Sequence, residues 1–106
     1  MVEDDGIDLR PVPVDLAAVV SDRLRAWDPE AERNGVRLVS AMTTELHALA
    51  TPEALASVLD SLLARALAVS PRGSRISVEA RVAEPYAELH VVDDAAVDAV
   101  TRLRAA

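Results

Sequence analysis

Few side chains in this chain could do chemistry, and their types and spacing narrow what that chemistry would be. Ser61 and Arg65 are four residues apart, on neighbouring turns of one helical face and clear of a leucine stripe. An arginine is a planar donor fork that stays charged, so Arg65 suits an anion such as phosphate. It has no lone pair to offer a cation. Asp93 and Asp94 end an alternating apolar run, where a carboxylate could accept from an amine or form half of a metal site. His47 and His90 complete the set, on different predicted strands and with no third ligand evident. No Ser/His/Asp triad or paired-carboxylate hydrolase pattern is present. The three glycines, Gly6, Gly35 and Gly73, build no phosphate cradle. The lack of cysteine excludes disulfides, thiolate zinc sites and cysteine nucleophiles.

Each candidate has a plainer reading. Arg65 could pair with a nearby carboxylate such as Asp60 or Glu88. Asp93 and Asp94 suit a strand-end turn followed by a helix N-cap. Trp27 could anchor a partner, but it suits the core or a cap over a small aliphatic interior. His90 should point to the open face of its strand, because Leu89 and Val91 take the other face.

The composition limits what can position these groups. The chain has 106 residues, enough for one domain, and 51% are hydrophobic. Phe is absent and there is one Trp and one Tyr, so the core must be built from Ala, Val and Leu. The formal net charge of −7 repels a polyanion and argues against nucleic acid as a partner. All eleven basic residues are Arg, a usage typical of high-GC coding. No stretch nears the ~20 apolar residues that span a bilayer, and the first residues are acidic where a secretory signal is basic. A cytoplasmic location is the resulting expectation.

Residues 1–10 read as a flexible acidic lead or a first edge strand, and residues 11–106 as a single domain. Asp15 is placed to cap a helix carrying Leu16, Val19, Val20, Leu24 and Trp27 at helical spacing. Pro29 should bend or restart that helix, and Asn34-Gly35 should end it. Short strands are predicted over Val36–Ser40 and Leu46–Ala50. Thr51-Pro52-Glu53 opens a second helix with Leu55, Val58, Leu59, Leu62, Leu63, Ala66 and Leu67 in one stripe. Two alternating runs, Ile76–Val82 and Ala87–Val91, predict an antiparallel hairpin. Ala95–Ala106 is helix-prone, with Val97, Val100 and Leu103 on one side. The order predicts an α+β fold, a two-layer sandwich with the helices on one face of a mixed sheet.

This order resembles the ATP-binding domain of sensor histidine kinases, a Bergerat-type fold of the GHKL superfamily. Four stretches carry the likeness: Pro13-Val14-Asp15-Leu16, Asn34-Gly35-Val36-Arg37-Leu38, the run from Pro52 to Ala66, and Leu89-His90-Val91-Val92-Asp93. The resemblance implies that Ser61 and Arg65 stand where the family's N-box carries two asparagines, the second of which helps to hold Mg²⁺. It implies that Asp93 stands where the family contacts the adenine amino group, with Ala95 and Val97 at the two glycine positions of the first glycine box. A guanidinium repels Mg²⁺, and a β-branched residue is a poor substitute where backbone must approach a ligand.

The expectation is therefore a degenerate, shortened domain, with plain helix in place of the nucleotide lid and without the closing strands. Catalytic residues, metal and cofactor are not expected, although ATP or ADP at a residual pocket of Asp93, Ser61 and Arg65 stays open. The implied role is protein–protein interaction or regulation in two-component-type signalling. A kinase, a response regulator or a second copy would be the partner, since a sheet without closing strands would leave an edge or an apolar face to cover. The alternative is the nucleotide-binding portion of a sensor kinase whose other parts lie elsewhere.

Overall fold

The computed structural model describes residues 10–42, 45–94 and 96–106, apart from the side chains of 96–99. The lead or edge strand expected before Arg10 lies outside the described residues. Eight elements follow: β1 (Val12–Asp15), α1 (Leu16–Arg33), β2 (Arg37–Ser40), β3 (His47–Ala50), α2 (Pro52–Val69), β4 (Arg75–Ala83), β5 (Tyr86–Asp93) and β6 (Ala96–Ala105). The strands form one mixed sheet in the order β1-β3-β6-β5-β4-β2. Every pairing is antiparallel except that of β2 with β4. This is the α+β arrangement expected.

α1 starts where Asp15 leaves extended backbone and its carboxylate accepts from the Ala18 N–H. It runs on through Pro29, so no restart occurs there. Proline removes one donor from the ladder, and the rest of the last turn is firmly closed. The Gly35 N–H donates to Glu32 and the Val36 N–H to Ala31, while Gly35 takes a φ of 68°. That pair of bonds is a Schellman stop, with Val36 and Ala31 both buried behind it. The positive φ favours glycine at position 35, and a Cβ there would meet only the mobile end of the exposed Arg72 side chain, at 3.0 Å.

The core lies between the two helices and the inner sheet face. Leu16, Val20 and Leu24 from α1 meet Leu55, Leu59, Leu63, Ala66 and Leu67 from α2 over Ile76, Val78, Ala87, Leu89 and Val91. Leu16, Leu59, Leu63, Ile76 and Leu89 are fully buried, each contributing about 1.5–3 kcal/mol. Of the predicted α2 stripe, Val58 turns out to solvent and Leu62 is half-buried.

The C-terminal residues correct the sequence reading. Ala96–Ala105 is a strand and not a helix, and it pairs with β5 along its length. Helix-prone composition loses here to position: an alternating β5 offers an unpaired edge, and a tight turn at Asp94 sends the chain back along it. β6 also bonds to β3, which leaves β1 and β2 as the edge strands.

Candidate functional site

α2 has a packing side and an outer side, and its predicted site residues are on the outer one. Leu59, Leu63, Ala66 and Leu67 face the sheet, while Ser61 and Arg65 are exposed, one above the other on the outer side. Neither Asp60 nor Glu88, the carboxylates within reach by sequence, pairs with Arg65. Asp60 accepts from Arg23 Nε at 2.9 Å and Nη2 at 3.1 Å, and from Trp27 Nε1 at 2.9 Å. Glu88 is bonded to His90 Nε2 at 2.8 Å and to Arg102.

Asp93 closes β5 beside the end of α2. Its Oδ2 accepts from the Ser70 hydroxyl at 2.7 Å, and the same hydroxyl lies 2.7 Å from the Ala66 carbonyl. Ser70 thus ties the strand end to the helix C-terminus. It follows Ala66 at i+4, on the line adjoining Ser61 and Arg65, so Asp93 meets the end of the helix that carries those two residues but forms no hydrogen-bonded cluster with them. Asp94 follows with a φ of 51°, uncommon for a non-glycine residue, and bonds back to the Arg75 backbone. The turn expected at this pair is therefore present. The helix N-cap is not, because a strand follows. Ala95 lies outside the described residues, while Val97 is within β6, opposite Val92.

Sequence reasoning missed the Asp60 junction, which joins α1 to α2. Its signal was the line Arg23–Trp27 at i, i+4 on α1, facing an acid that immediately precedes Ser61. The carboxylate raises the Arg23 pKa, chiefly through the side-chain hydrogen bond. Trp27 packs against the core and donates inward, as its plainer reading expected. His90 lies on the strand face opposite Leu89 and Val91, as expected, but that position is buried and not open, and Nδ1 has no partner among the described residues. Its bond to Glu88, followed by that from Arg102, holds the Glu88 carboxyl below its ordinary range.

A cleft of about 730 Å³ lies at the far end of α1, lined by residues including Asp28, Glu32, Gly35, Arg37 and Ser74. None of Ser61, Arg65 and Asp93 lines it. No helix of the described residues is long and apolar enough to cross a membrane.

No family model and no curated protein matches the chain. Solved structures do. The catalytic domain of histidine kinase ThkA, in a nucleotide-free form, superposes with a TM-score of 0.72 at 12% identity, over 80% of this chain and 59% of that one. Histidine kinase AdeS of Acinetobacter baumannii gives 0.71 at 19%, over 84% and 44%. The mycobacterial sensor histidine kinase MprB gives 0.64 at 23%, over 80% and 56%. ThkA has also been solved in complex with the response regulator TrrA. The chain has the fold of histidine-kinase catalytic domains, and it spans about half the length of the solved chains it matches.

Proposed function

We propose that this chain is a non-catalytic histidine-kinase-ATPase-like module that acts through protein–protein contact in two-component-type signalling. The observation that carries the reading is the β5–β6 hairpin. By resemblance, the chain beyond Asp93 would lead out to a glycine box and a nucleotide lid. Here it turns at Asp94 and returns as a strand paired with β5. The outer side of α2 supports the same reading, with a serine and a cation at the two N-box positions. One Asp93 oxygen is already taken by Ser70.

The scaffold, by contrast, is well held, and a held scaffold without a nucleotide cradle suits a docking role. The complex of ThkA with a response regulator supports a receiver domain as the partner class. Calorimetry with ADP, with and without Mg²⁺, tests the loss of nucleotide chemistry, and no saturable heat is expected in either case. NMR titration of the labelled chain with response-regulator receiver domains tests the partner class. Localised shift changes support the reading. Tight Mg²⁺-dependent ADP binding overturns it.

A further inference from the structure

We propose that Asp15, Glu45 and His47 form a divalent-metal site at the β1–β3 edge of the sheet, suited to a borderline ion such as Zn²⁺, Co²⁺ or Ni²⁺. The sequence offered His47 no third ligand, because one of its partners lies thirty-two positions earlier. The fold supplies it: β1 and β3 pair antiparallel with Asp15 directly opposite His47, and the Leu16 N–H donates to the Leu46 carbonyl at 3.0 Å. Glu45, two residues before His47, reaches the same place. The ligand atoms of all three lie within 4.8 Å of one another, and Glu45 Oε2 is 3.8 Å from His47 Nε2.

Donors at about 2.1 Å from one ion stand roughly 3–3.5 Å apart, so exposed side chains need to close only a short distance. Two carboxylates held this close repel each other, and a cation between them relieves that. Asp15 Oδ1 accepts one bond, from Ala18 at 3.3 Å, which leaves the second oxygen for an ion. The ion pairs of Arg23, Arg25, Arg33, Arg81 and Arg102 are made with other carboxylates. One imidazole with two carboxylates favours Zn²⁺, Co²⁺ or Ni²⁺ over Mg²⁺ or Ca²⁺. The side chains of His47 and Glu45 are 43% and 73% exposed, so water completes the coordination.

The test is calorimetry of the whole chain with Zn²⁺ and with Mg²⁺, repeated on Asp15→Asn, Glu45→Gln and His47→Gln. Asparagine keeps the cap at position 15, and the other two positions are exposed, so the fold is retained. One Zn²⁺ per chain is expected, with affinity falling at least tenfold in His47→Gln and in Asp15→Asn. Glu53→Gln, on an exposed carboxylate elsewhere, should leave binding unchanged. Zn²⁺ should also raise the unfolding temperature of the wild-type chain and not that of His47→Gln, because the ion joins two strands. Absence of saturable Zn²⁺ binding overturns the proposal, as does binding that survives both His47→Gln and Asp15→Asn.

Discussion

Asp60 and Ser61 are adjacent in sequence and belong to different worlds. Asp60 faces α1 and takes three hydrogen bonds from Arg23 and Trp27. Ser61 faces outward with Arg65 one turn on, both exposed. The inner side of α2 is thus specified residue by residue, while the outer side carries little that the fold needs. The contrast teaches that one helix can fix its packing on one line and leave the next free to vary, because the two lines fall on different faces.

Four substitutions can break or sharpen that contrast. The largest effect is expected at Leu63, which is fully buried. Leu63→Ala should cost about 2–5 kcal/mol in urea unfolding, from lost burial and the cavity left behind. Asp60→Ala strands a guanidinium and an indole N–H together. Partial exposure of the pair lowers the cost, which should be about 1–2 kcal/mol.

A smaller, pH-dependent effect is expected at Glu88. Its carboxyl is held below the usual 4.5 by the bond from His90, then by Arg102. Its stabilising contribution is present above 4.5 and is lost as the pH falls through the lower folded value. Denaturation midpoints measured from pH 6 to pH 3 should therefore fall less steeply in Glu88→Gln than in the wild-type chain. Smallest is Arg65→Ala, expected to shift stability by no more than about 0.5 kcal/mol. A large loss there would show that the outer line of α2 is structural after all.

Much of the fold was legible because local chemistry and tertiary need agreed. Asp15 caps, Asn34-Gly35 stops, and the leucines of α2 repeat at the right spacing. The β4–β5 hairpin alternates cleanly. β1 was missed, since Pro11 and Pro13 signalled only that no helix could form. β6 was misread because Ala-rich residues favour helix unless a sheet edge claims them. Ser61 and Arg65 lie on the exposed side of α2 and Asp93 at the end of β5, as the helical and strand spacing required. The partners of Asp60 and Asp93 were not readable, since Arg23 and Ser70 meet them only through packing. The same holds for Asp15 and His47, which are brought together by strand register alone.

The most direct measurement is a titration of the isotope-labelled chain with Mg·ATP, following the backbone resonances of Ser61, Arg65, Ser70 and Asp93. The account predicts no saturable shift at any of the four, up to millimolar nucleotide. Saturable, Mg²⁺-dependent shifts that run together from Ser61 to Asp93 would contradict it.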